Sequence, residues 1–373
     1  MSRPGLSELV EDGPTAAGPR VISSRFDGLD AIRAGAMLLG LAYHATYAWL
    51  PRVAPWYFVA DASPVDALVF VTGFLHAFRM QLFFALSGLF SHLVFERRGE
   101  RGFLVDRSRR LLVPLAVALP IVLGLDVLLR RASHARGLMS AEYGPGDGFH
   151  LGPVHLWFLV YLFTFCVLAW ALPTWSGPSR LLARLLRWPP VVLGVFALPS
   201  AALLWWQPEM RPDLTLFPRP LEVLHYGAFF AFGWWLWPSR EALGALRTWA
   251  WPMLLSGVAL GVFVFHGEVQ WEPLGHALAG VVAWLMTLGG FGLAFRIPSG
   301  ERPWLRYLVQ ASYWVYLTHY PVVLALQLLF AQHEGPGLIE YAVTVVATFV
   351  VTLITFELFV RKTRLGPWLG VRS

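Results

Sequence analysis

The sequence predicts an all-α protein: a polytopic membrane bundle of about ten transmembrane helices with both termini cytoplasmic. Three observations predict it. Of 373 residues, 57% are hydrophobic and only 14% charged, against about 25% charged in a soluble domain. Apolar runs of span length recur from residue 29 to residue 360, separated by short stretches of Arg, Gly and Pro. The density of basic residues alternates from one interval to the next, as it does when loops lie on alternate sides of a bilayer. That alternation accounts for the net charge of +6, and no nucleic-acid partner is expected.

Residues 1–28 are polar, contain Gly and Pro and lack an apolar core. They read as a flexible cytoplasmic tail without a cleavable signal peptide, so the first span is also the targeting signal. That span, 29–50, is LDAIRAGAMLLGLAYHATYAWL. It carries Arg33 and His44, eleven positions and about 16 Å apart on nearly the same helix face. An ionisable residue in a span is costly, so both are expected to face a polar cavity. Snorkelling of Arg33 and a hydrogen-bonded packing role for His44 are the plain alternative.

The second run, 65–95, is long for one span and holds His76 and Arg79. Its small pair Ser87-Gly88 suits close helix approach or a kink. The most basic loop follows, ERRGERGFLVDRSRR at 96–110. Eight more spans are expected at 111–129, 154–172, 189–206, 220–237, 249–265, 276–295, 312–331 and 339–360, closing the membrane domain at 361 before a tail at 362–373. With the N-terminus inside, twenty-one of the 29 basic residues fall in inner segments and six in outer ones, leaving Arg33 and Arg79 within spans. The outer intervals 136–153, 206–219 and 266–276 mix aromatic and polar residues, which suits sugar stacking or an interfacial aromatic belt. Lys362 is the one lysine, a composition that points to a GC-rich bacterium and hence to its cytoplasmic (inner) membrane.

Six ionisable residues stand at bilayer depth: His44, Arg79, His155, His225, His319 and Glu357. Imidazoles titrate near neutrality and can pass protons in either direction. Glu357 can alternatively pair with Arg361 one turn later. Arg107 and Arg110, three apart at the inner surface, can grip phosphates, or serve topology and anionic lipid headgroups. No GxSxG or HExxH motif occurs, so neither a serine-hydrolase elbow nor a metal site is predicted. Cys166 lies among Phe and Leu; it reads as an inert core residue and has no disulfide partner.

Five strings together resemble the integral-membrane acyltransferase 3 family: LDAIRAGAMLLGLAYH with Arg33 and His44, FRMQLFFALSGLF, FLVDRSRRLLVP with Arg107 and Arg110, VHLWFL at 154–159, and SYWVYLTHYPV around His319. They occur in the family's order across residues 29–322. HAFRMQLFF and HLWFL are most similar to the periplasmic glucan succinyltransferase branch, glucans biosynthesis protein C. The resemblance implies transfer of an acetyl or succinyl group from cytoplasmic acyl-CoA to a hydroxyl of an extracytoplasmic glycan or glycolipid. It implies His44 as base and Arg79 for the oxyanion or a distal carboxylate. Arg107, Arg110 and Arg33 would take the donor's phosphates. Ser87, His155, Trp157, His319 and Glu357 complete the residues expected along the substrate path. No tightly bound cofactor is implied; acyl-CoA is a substrate, and membrane lipids are the remaining partners. A transporter or flippase using the same buried charges, and a scaffold without turnover, are the competing classes.

Overall fold

The computed structural model describes residues 18–52, 57–138, 152–172, 176–206, 216–266, 272–297, 302–331, 333, 335–363 and 366. Among the described residues every regular element is helical. In chain order these are α1 (Gly18–Ala45), α2 (Ala67–Arg107), α3 (Val113–Ala135), α4 (Trp157–Ala171), α5 (Ser176–Leu185), α6 (Pro189–Trp206), α7 (Pro220–Leu236), α8 (Gly244–Phe265), α9 (Glu272–Ala294), α10 (Pro303–Phe330) and α11 (Gly337–Phe356). Among the described residues, seven helices or continuous helical runs are long and apolar enough to cross a membrane. The chain is a multi-pass membrane protein. Much of the three outer intervals, and most of both tails, lies outside the described residues.

Helix α1 starts at Gly18, with Pro19 in its first turn, well before the expected span. Part of the expected tail is thus helical. It also stops at Ala45, and the chain turns through a short 3-10 segment, Tyr47–Trp49. Gln327 of α10 meets that end: its Nε2 donates to the carbonyls of Ala45 (2.9 Å) and His44 (3.4 Å). These are helix-end carbonyls with no donor of their own.

Helices α2 and α3, joined by a π turn at Ser108–Leu112, form one run of 69 residues. A straight helix of that length would span about 100 Å, some three times a bilayer core. The run bends at Gly99, whose φ of 66° is in the left-handed region open mainly to glycine. Ser87-Gly88 therefore is not the kink. Gly88 instead lets α2 touch α7: a Cβ on it would strike the carbonyl of Phe230, and one on Gly233 would strike the carbonyl of Ala85. The two backbones pack through reciprocal glycines, as close membrane helices do. Gly233→Ala is expected to destabilise the fold by about 2–3 kcal/mol, because the obstacle is backbone and cannot rotate away; thermal unfolding in detergent reads this directly.

Helix α9 is the most enclosed, with 78% of its apolar window buried, and packs on α1, α2, α6 and α8. The outer helices keep large aliphatics exposed, among them Val117, Ile121, Leu198, Leu255 and Val346. Only lipid suits such a surface. Arg130, expected in an outer loop, is instead buried on α3. It pairs with Asp126 at 2.8 Å and lies over the Phe58 ring at 4.5 Å.

Candidate active site

Four segments converge on one cavity. Helix α1 contributes Ala36, Met37 and His44, and α2 contributes Arg79, Met80 and Phe83. The 3-10 turn Val154–Leu156 and the start of α4 add His155, Trp157 and Phe158, and α10 adds Tyr316 and His319. The free space inside the cavity is about 20 Å³, room for about one water molecule. Met37 and His44 are seven apart, two turns on one helix face.

Three imidazoles meet here. The ring of His44 is 5.3 Å from that of His319 and 6.3 Å from that of His155, and the latter two are 5.1 Å apart. Tyr320 closes the cluster, 5.3 Å from His44 and stacked on His155 at 5.1 Å. Backbone chemistry orients one of the rings. Nδ1 of His319 donates to the carbonyls of Val315 (3.0 Å) and Tyr316 (2.9 Å). A neutral ring held this way keeps its proton on Nδ1 and presents Nε2 as an acceptor. That Nε2 is buried and has no hydrogen-bond partner among the described residues. Pro321 supplies no N–H, so the carbonyl of Leu317 one turn back lacks its helical donor; both ring nitrogens of His155 are buried with no hydrogen-bond partner among the described residues. The peptide just before His155 is strained: Val154 has φ 46°, which costs a β-branched residue on the order of 1–3 kcal/mol.

Arg79 is the exceptional residue. It is buried to 7% exposure and forms no ion pair with a carboxylate among the described residues. Its Nε has no hydrogen-bond partner among them. The guanidinium lies over the Tyr43 ring, 4.7 Å from its centroid. A guanidinium keeps its charge in any protein, so the cavity wall carries one uncompensated positive charge.

A second basic group lies toward the basic loop. Asp106 is buried, accepts a hydrogen bond from Arg110 Nε (3.2 Å) and forms ion pairs with Arg98 (3.1 Å) and Arg107 (3.2 Å). Three guanidiniums share one carboxylate, so positive charge remains for an anion. Arg33 pairs with Asp30 at 2.8 Å, lies over Phe90 at 4.8 Å and is within electrostatic range of Arg107. On α1, Arg33 is one turn before Met37 of the cavity lining.

His44, Arg79, His155, Trp157 and His319 are thus brought together, and Arg107 and Arg110 are joined at Asp106. Ser87 is buried, one turn beyond Phe83 and outside the cavity lining. Glu357 does not reach the cavity; its carboxylate takes a hydrogen bond from Arg361 at 2.7 Å at the end of α11. His225 is buried against Gln81 at 3.3 Å, away from the cavity. Cys166 is buried 3.8 Å from the Ser91 hydroxyl. Tyr43, Tyr316, Asp106 and Gln327 were not anticipated. Tyr43 beside His44, and Tyr316 one turn from Tyr320 in YWVYLTHY, were the available signals. No group of three or more His, Cys, Asp or Glu among the described residues is arranged to hold a metal ion.

Such a site can accept a proton at imidazole nitrogen and hold a developing negative charge against Arg79. The acyltransferase domain of the acyltransferase 3 type matches residues 26–357. Proteins named glucans biosynthesis protein C from Salmonella paratyphi B, Salmonella dublin and Salmonella heidelberg are each 25% identical over 354 residues, covering 89% of this chain and 91% of theirs. No solved structure matches the chain.

Proposed function

Because this chain belongs to the acyltransferase 3 family and is an acyltransferase, we propose that it moves an acetyl or succinyl group from cytoplasmic acyl-CoA to a hydroxyl of an extracytoplasmic glycan. One observation carries the proposal: a buried guanidinium without a carboxylate partner among the described residues, set in a cavity beside three imidazoles. A charge so placed is costly. It is retained where a negative charge arrives during the reaction.

The chain crosses the inner membrane of a bacterium ten times with both termini cytoplasmic. Arg107, Arg110 and Arg33 take the phosphates of acyl-CoA, and the thioester reaches the cavity along α1 and α2. The acceptor oxygen attacks the thioester carbonyl while His44 removes its proton. Arg79 holds the tetrahedral oxyanion. Collapse breaks the carbon–sulfur bond, and the thiolate takes the proton from His44, leaving an ester and free CoA thiol. His155 and His319 hold the neighbouring sugar hydroxyls, and Trp157 packs against acyl group or sugar. The glucan named in the Salmonella relatives makes a glucan the first acceptor to try.

Mass spectrometry of envelope glycans from cells with and without the protein tests this. A gain of about 42 Da for acetyl or 100 Da for succinyl is expected only with the protein present. Identical masses for every glycan and glycolipid in the two strains would overturn the reading.

A further inference from the structure

We propose that Gly40 and Tyr43 of α1 form the seat that positions Arg79, making Tyr43 a positioning residue for the reaction. The inference rests on Arg79 as the oxyanion's partner. Gly40 and Tyr43 are three apart and so share one stripe of the helix. Tyr43 lies under the guanidinium, 4.7 Å from ring centroid to Cζ. Gly40 makes room beside it: a Cβ there would collide with Nη1 of Arg79.

The seat is itself held. The Tyr43 hydroxyl is 2.5 Å from that of Tyr47 and 3.0 Å from Nδ1 of His76. The Tyr43 and His76 rings stack at 5.8 Å with 20° between planes. Thr46 Oγ1 donates to the Tyr43 carbonyl at 2.7 Å. His76 and Arg79 are three apart on α2, so the contacts close a circuit between the two helices.

The physical point is what this seat does not do. A carboxylate would fix Arg79 equally well, and would also neutralise it and compete with the oxyanion. An aromatic face attracts a cation through its quadrupole and adds no net charge. The guanidinium is thereby placed in advance with its full charge available, which is what electrostatic stabilisation of a transition state requires. Tyr43 also adjoins His44, with ring centroids 5.0 Å apart, so the same turn of α1 sets both the base and the cation.

The test uses the full chain in lipid nanodiscs, with acetyl-CoA and succinyl-CoA as donors and a glucan oligosaccharide as acceptor. Gly40→Ala and Tyr43→Leu are each expected to lower kcat about 10- to 100-fold with the donor KM within about threefold of the parent. Tyr43→Phe keeps the ring but loses the hydroxyl's contacts with Tyr47 and His76, and its kcat should fall between those of the parent and Tyr43→Leu. Gly40→Ala should lose turnover without losing thermal stability, since alanine favours the helix. With Arg79→Met already present, Tyr43→Leu should cost nothing further. Retained kcat in both Gly40→Ala and Tyr43→Leu, or an equal loss from Tyr43→Leu with and without Arg79, would overturn the seat. Should the parent consume neither donor, the enzymatic reading fails instead. The seat is then judged from unfolding temperatures of the parent, Tyr43→Leu, Arg79→Met and their double variant: non-additive shifts sustain it and additive shifts overturn it.

Discussion

Replacing Arg79 by Met is expected to lower turnover by about 10²- to 10³-fold while raising the unfolding temperature by about 2–5 °C. The two effects have one cause. Arg79 is buried among Met80, Phe83 and the aromatic rings of the cavity and has no carboxylate partner among the described residues. Its desolvation is offset only in part by the face of Tyr43. Methionine fills similar space, removes the charge and relieves that cost. The reaction loses the group that meets the oxyanion. Initial rates of donor consumption and a thermal unfolding curve on the same preparation check both halves. Lower stability accompanying lost turnover would identify Arg79 as a structural cation and contradict the assignment.

His44→Ala is expected to lower kcat by about 10²- to 10⁴-fold and to leave the KM for acyl-CoA unchanged. The backbone of residue 44 is held through its carbonyl by Gln327, and alanine preserves that contact. The Asp106 cluster, about eleven residues toward the other end of α1 by way of Arg33, is untouched. Transfer to glucan oligosaccharide and binding of acyl-CoA, measured separately, give the split. Unchanged kcat would move the base to His155 or His319. A raised KM with unchanged kcat would make His44 a binding group.

The fold class was legible because apolar periodicity and charge alternation are local properties. The spacing of Arg33 and His44 on one helix was legible for the same reason, but only His44 lines the cavity, while Arg33 pairs with Asp30 outside that lining. Whether His155 and His319 meet His44 depends on how α4 and α10 pack, and only the family's strings brought those residues together. The surroundings of Arg79 could not be read. Gly40 and Tyr43 matter because α1 and α2 cross there, and no spacing within either helix announces a crossing. Asp106 was hidden for a related reason: a single acid in DRSRR looks like a minor relief of charge until Arg98 reaches back to it across the Gly99 bend. Glu357 shows the converse, since the i,i+4 spacing to Arg361 was in the sequence and the structure forms that pair.

The account is tested most directly with sealed vesicles containing the purified protein, glucan oligosaccharide trapped inside and radiolabelled acetyl-CoA or succinyl-CoA added outside. It predicts that label becomes esterified to the trapped sugar with the parent protein and that Arg79→Met and His44→Ala abolish this. Label that never reaches the trapped sugar, or reaches it equally with both variants, would contradict a cavity joining a thioester on one side of the bilayer to an alcohol on the other.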